Sequence, residues 1–137
     1  MIRESNTNDI DMHHIFALIA APSGKGKTYC ARTLSTEDTL IISAESGLLT
    51  LKGSGHKVWE FETIEDFKEI VKRLHTGVKY KNIFIDSLTE ISDIIFKDLK
   101  PKFSKSQTFG LYGTYTEQMI DLVKTLRDMK QYNFFLK

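Results

Sequence analysis

An unbroken apolar run, Ile15-Phe16-Ala17-Leu18-Ile19-Ala20, stops at Ala21-Pro22-Ser23-Gly24 and passes at Lys27 into a segment that can be helical. A continuous apolar run of this length reads as a strand buried on both faces, the kind found in parallel sheets covered by helices. Directly after it stands Ala21-Pro22-Ser23-Gly24-Lys25-Gly26-Lys27-Thr28, a phosphate-loop pattern in the strand–turn–helix context that makes such a match credible. Gly24 and Gly26 let the backbone curl so that successive N–H groups face one concavity. A helix starting near Gly26 would add its positive end there. Lys27 is placed to reach β- and γ-phosphates, and the Thr28 hydroxyl to ligate Mg²⁺. The candidate phosphate contacts are Pro22, Ser23, Gly24, Lys25, Gly26, Lys27, Thr28 and Tyr29. The first position of the pattern carries Ala21 instead of glycine. Alanine is the smallest replacement, so the loop is expected to survive it.

The rest of the chain repeats the alternation. Thr39–Ser43 and Asn82–Asp86 read as buried strands, Lys57–Phe61 as a shorter one, and Asn133–Leu136 as the last. Thr63, with Asp66 three residues on, opens a helix whose Ile64, Phe67, Ile70, Val71 and Leu74 share one face, and Gly77 stops it. Leu88, Ile91, Ile95 and Leu99 mark a second helix. Residues 101–113 (PKFSKSQTFGLYG) show no period and read as a loop. Thr114 is then expected to cap a third helix, with Tyr115, Met119, Leu122, Val123, Leu126 and Met129 on one stripe. Strands alternating with helices predict an α/β fold with a mostly parallel sheet. Residues 1–13 read as a polar lead-in and 14–137 as one domain. Ligands of such sheets bind beyond the carboxyl ends of the strands, where residues 21–27, 44–47 and 86–90 fall together.

Two of those loops carry carboxylates. Asp86 follows an apolar strand, the position from which an aspartate holds the water shell of a nucleotide-bound magnesium ion. Glu45, in Ser43-Ala44-Glu45-Ser46-Gly47, is placed to orient a water for attack on a γ-phosphate. Glu90, one turn past Asp86, is its rival, and placement favours Glu45. Around residues 97–115, Lys97, Lys100, Lys102 and Lys105 stand against Asp98 alone. Phe103, Phe109, Tyr112 and Tyr115 are interleaved with Gly110 and Gly113. Cations and stacking rings are what single-stranded nucleic acid requires, which makes Lys102, Phe103, Lys105, Phe109 and Tyr112 candidate contacts. The competing interpretation is a solvated segment whose rings fold onto the core. Cys30 and Trp59 read as core residues. His13-His14, His56 and His75 lack metal-ligand spacing.

Composition narrows the function classes. The 137 residues carry a net charge of +1, so any nucleic-acid binding must come from a local patch. The single cysteine excludes an intrachain disulfide and a cysteine-rich zinc site. No apolar run approaches the roughly 20 residues of a membrane span, and the N-terminus lacks an apolar signal core. Only Arg127 lies beyond Arg73, which leaves no arginine-rich lid for a small phosphate-loop kinase. No guanine-reading Asn-Lys-x-Asp motif is present, which points to ATP rather than GTP.

The order of these pieces resembles the RecA-like ATPase core. The phosphate loop is followed by Ala44-Glu45-Ser46-Gly47-Leu48-Leu49, then Val58–Leu74, then Asp86-Ser87-Leu88-Thr89-Glu90-Ile91. The likeness runs from about Ile15 to Leu136. It is closest to phage-encoded RecA-like nucleotide-binding proteins that work with single-strand annealing recombinases. The resemblance implies a P-loop NTPase with a RecA-like sheet, shortened on its C-terminal side. It makes Lys27 and Thr28 the Walker A residues, Asp86 the Walker B aspartate and Glu45 the catalytic glutamate. It places residues 101–113 at the family's first DNA-binding loop. It implies ATP and Mg²⁺ as cofactors and hydrolysis coupled to single-stranded DNA. The implied partners are an annealing recombinase or another phage or host protein, with self-association, in the cytoplasm of a bacterial host. The family pattern continues beyond the last strand, so an uncovered sheet edge and incomplete hydrolytic machinery are both expected. A non-hydrolysing module that docks through that edge is the alternative.

Overall fold

The computed structural model describes residues 4, 6, 8, 14–44 and 51–137. Its strands are β1 (Phe16–Leu18), β2 (Thr39–Ser43), β3 (Lys57–Glu60), β4 (Asn82–Asp86) and β5 (Asn133–Leu136). They form one sheet in the order β1-β5-β4-β2-β3, and every neighbouring pair is parallel. The interior strands are the continuous apolar ones, as burial on both faces demands. Leu40, Ile41, Ile42, Ile83 and Ile85 are wholly buried. β1 is shorter than its apolar run, but its ladder extends one residue either way, through Phe134 N–H to Ile15 O and Ile19 N–H to Leu136 O.

Three α-helices, α1 (Ile64–Thr76), α2 (Leu88–Leu99) and α3 (Thr108–Asp128), cover one face of the sheet. There Ile64, Phe67, Ile70 and Leu74 of α1 and Ile91, Ile95 and Leu99 of α2 pack on Leu40, Ile42, Ile83, Ile85, Phe134 and Leu136. The opposite face buries a smaller cluster of Ile41 and Phe84 under Ala31 and Leu51. α1 begins as its sequence predicts: the Thr63 hydroxyl accepts from Asp66 N–H at 3.1 Å, and the Asp66 carboxylate accepts from Thr63 N–H at 3.1 Å.

Expectations for two segments are corrected. Residues 101–113 are not an aperiodic loop. Short 3-10 turns at Lys100–Lys102 and Lys105–Gln107 lead into α3, which begins at Thr108, so Thr114 lies inside the helix and does not cap it. The turn before α3 is closed by a capping box, with Ser104 N–H donating to the Gln107 side chain at 3.0 Å. Gly110 hides the helical pattern because it has no side chain, yet the Phe103 ring packs on it, 3.5 Å from where a Cβ would stand. The segment after the phosphate loop is helical, but as a 3-10 helix over Thr28–Thr33. In it Ala31 is buried and Cys30 is exposed, so Cys30 is not a core residue. A three-residue turn aims only one residue of each three at the sheet, and here that is Ala31.

Trp59 is half-buried against the larger core cluster, with the Arg73 guanidinium 5.7 Å from its ring centre.

Candidate functional site

Parallel strands bring the end of β1, the end of β4 and the end of β5 to one edge. An open cleft of about 700 Å³ lies there, lined by Ser23, Gly24, Gly26, Lys27, Thr28, Tyr29, Ser87, Thr89, Glu90 and Lys137. The loop curls as its glycines allow: Gly24 has φ +76° and Gly26 φ +79°. No described non-glycine residue has a positive φ, so Ala21 stands in a backbone conformation that does not call for glycine. The Lys27 ammonium folds back across the loop and donates to the carbonyls of Ala21, at 2.5 Å, and Pro22, at 2.9 Å. These bonds hold the side chain along the curl of the loop, at the wall of the cleft.

The loop is tied to β4 by one side-chain bond. Thr28 Oγ1 donates to Asp86 Oδ2 at 2.7 Å. Asp86 is fully buried, and a hydrogen bond to a charged acceptor contributes roughly 1.5–3 kcal/mol net. The third member is Lys137, at the end of β5. Its ammonium donates to Asp86 Oδ1 at 2.5 Å and to Thr28 Oγ1 at 3.0 Å. The peptide from Asp86 to Ser87 is cis. Ser87 caps α2, its hydroxyl accepting from Glu90 N–H at 3.3 Å, and Glu90, in the first turn of that helix, stands in the wall of the cleft.

A hydroxyl and a carboxylate are hard oxygen donors of the kind magnesium takes beside a phosphate. Together they already hold a positive charge, the Lys137 ammonium, on Thr28 Oγ1 and Asp86 Oδ1. The residues therefore fit a magnesium ion.

A family model described as an AAA domain matches residues 13–135. The chain belongs to the AAA domain family. No curated protein and no solved structure matches this AAA domain. Family and fold agree: the domain has a P-loop, α/β nucleotide-binding architecture of the ATPase type, built on an all-parallel sheet of five strands.

The AAA domain brings together most of the residues singled out in the sequence. Ser23, Gly24, Gly26, Lys27, Thr28 and Tyr29 line the cleft, with Asp86 just behind Thr28. Pro22 and Lys25 belong to the loop but do not line the cleft. Glu45 lies outside the described residues, whereas Glu90 stands in the cleft wall. None of Lys102, Phe103, Lys105, Phe109 and Tyr112 lines the cleft. α2 starts beside Asp86 and carries the chain about 18 Å along its axis before that segment begins, at 1.5 Å per residue. There, Lys102 pairs with Asp98 at 2.7 Å, Phe103 is half-buried, and Tyr112 sits on the Phe96 ring at 5.6 Å. Lys105 is exposed, and Phe109 is 95% exposed. Sequence reasoning missed Lys137. Only the strand order reveals it, because β5 enters the sheet between β1 and β4. Among the described residues no group of His, Cys, Asp and Glu forms a separate metal cluster, and no helix is long and apolar enough to cross a membrane.

Proposed function

We propose that this AAA domain binds Mg-ATP in the cleft and hydrolyses it to ADP and phosphate. The bond from Thr28 to Asp86 supports this most directly, because it joins the phosphate loop to the strand-end carboxylate that ATP hydrolysis needs beside it. The loop amides and Lys27 hold the β- and γ-phosphates, and Lys27 exchanges its two carbonyl partners for phosphate oxygens. Thr28 and Asp86 hold magnesium. When bound, the metal neutralises charge on the β- and γ-phosphates. A carboxylate accepts the proton of the attacking water as its oxygen bonds to the γ-phosphorus and the bridging P–O bond breaks. Glu45 takes that role by its likeness to RecA-like enzymes, and Glu90 is the rival by its place in the cleft. The same likeness supports a role in phage-type DNA recombination or replication. Single-stranded DNA would then bind at Lys102, Phe103, Lys105, Phe109 and Tyr112, and an annealing recombinase or a second copy would be the protein partner.

The test is ATP turnover with Mg²⁺, with and without single-stranded DNA, beside Lys27→Ala. Turnover that rises with DNA and vanishes in the variant supports the reading. ATP binding by Lys27→Ala as tight as the parent's sinks the site assignment.

A second reading rests on the sheet edge. Among the described residues β1 pairs on one side only, and Ile15, just before it, and Leu18, its last residue, are 52% and 66% exposed. A protein that docks there without hydrolysing nucleotide would bind equally well to Lys27→Ala.

A further inference from the structure

Lys137 has no role in the hydrolysis proposed above, and it lies beyond the residues matched to the AAA family. β5 is inserted between the strand that leads into the phosphate loop and the strand that ends in Asp86. Its ladder runs one step past the strand: Lys137 N–H donates to Ile85 O at 3.0 Å, and Lys137 O accepts from Leu88 N–H at 2.8 Å. The backbone is thus held on both sides, and the side chain extends over the Thr28–Asp86 pair. The side chain is 14% exposed and Asp86 not at all, so this is a buried ion pair. Its ammonium touches both groups that suit a magnesium ion.

We infer that Lys137 is a built-in cation that shares the metal's place and thereby sets how strongly nucleotide binding depends on magnesium. Two consequences have the same sign. With no metal, the Lys137 charge sits in the cleft wall and offsets part of the phosphate charge, so metal-free nucleotide still binds. With metal, magnesium must displace the ammonium from Asp86 before it can bind there, which weakens the gain that magnesium brings. Removing the charge reverses both. The inference rests on nucleotide binding at this cleft, so its test carries one arm that needs no nucleotide.

The first arm measures the dissociation constant of a fluorescent ATP analogue in EDTA and in excess Mg²⁺, for the full chain and for Lys137→Met. The ratio of the two constants is expected to rise by about tenfold or more in the variant, the scale set by removing a unit charge in contact. Lys137→Arg, which keeps the charge, is expected to stay near the parent. The second arm titrates Mn²⁺, followed by its paramagnetic resonance signal, into nucleotide-free protein. Lys137→Met is expected to bind Mn²⁺ at least several-fold more tightly than the parent. Lys137→Gln keeps a donor for Asp86 without the charge, carries both expectations, and replaces the methionine variant if that one melts early. An unchanged ratio and unchanged Mn²⁺ affinity overturn the inference. A parent that binds no nucleotide in either buffer overturns the proposed function instead, and the Mn²⁺ arm then decides the inference alone.

Discussion

Asn133 and Asn82 join three strands at the edge of the sheet opposite the cleft. The Asn133 amide donates to Asn82 Oδ1 at 3.1 Å, and the Asn133 side-chain oxygen accepts Ile15 N–H at 2.7 Å. Asn82 extends the chain of bonds to Thr39 Oγ1 at 3.4 Å. β1 is an edge strand of three residues, and this clamp adds a side-chain bond to the ladder that seats it. Asn133→Ala is expected to lower stability by about 1–2 kcal/mol, the range for losing two side-chain bonds at a half-buried site. Amide exchange at Ile15 to Ile19 should accelerate more than exchange in β2. Equal acceleration everywhere would mean that β1 is seated by its ladder alone.

Tyr132, the residue before Asn133, ties the start of β5 to the C-terminal end of α1. Its buried hydroxyl donates to Leu74 O at 2.7 Å and accepts Val78 N–H at 2.9 Å. Tyr132→Phe keeps the ring and deletes both bonds. A loss of about 1–2 kcal/mol in denaturant unfolding is expected, with little change in nucleotide affinity. No measurable loss would show that the Val78 amide finds another acceptor.

The start of α3 at Thr108 has a consequence for Gly113. Nothing lies within 4 Å of a Cβ built there, and the residue is inside the helix. Gly113→Ala should therefore stabilise the chain by about 0.5–1 kcal/mol. If the segment were an irregular loop, the substitution would leave the melting temperature unchanged.

The same segment shows where the sequence stops being readable. The parallel sheet follows from continuous apolar strands such as Leu40–Ile42 and Ile83–Ile85, because only burial on both faces tolerates such runs. α1 is legible from end to end, since its cap, its apolar stripe and its terminal glycine agree. α3 is obscured at its start because Gly110 and Gly113 remove side chains from the pattern. The Ser104–Gln107 capping box is visible in the sequence as Ser-x-x-Gln and marks the true entry. The candidate site divides in the same way. Its loop and Asp86 lie in local motifs, but Lys137 becomes a neighbour of Asp86 only through a pairing between β4 and β5 that no local pattern encodes.

Asp66 carries the clearest pH dependence. Its pKa lies below the ordinary aspartate value because its ionised carboxylate accepts, first, from the Thr63 hydroxyl, then from the Thr63 amide and the Glu62 amide. A depressed folded-state pKa contributes stability that is fully present above the unfolded value, about 3.9 for aspartate, and is lost as pH falls through the folded value. Asp66→Ala should therefore melt below the parent at pH 6, and the gap should close as pH drops under about 4. A gap that stays constant down to about pH 2.5 would assign the effect to packing and not to the carboxylate.

Phe109 and Phe103 separate nucleic-acid binding from core packing on one segment. Phe109 is 95% exposed at the first turn of α3, a position with no packing energy to lose. Phe103 is half-buried and lies on Gly110. If single-stranded DNA stacks here, Phe109→Ala should weaken its binding by roughly tenfold, the low end of what one base–aromatic stack contributes, without moving the melting temperature. Phe103→Ala should lower the melting temperature whether or not DNA binds. Lys105→Ala should reduce the salt dependence of binding by about one phosphate contact, because Lys105 is exposed, whereas Lys102 is already paired with Asp98. DNA affinity indifferent to both Phe109→Ala and Lys105→Ala would place the binding surface elsewhere on the domain.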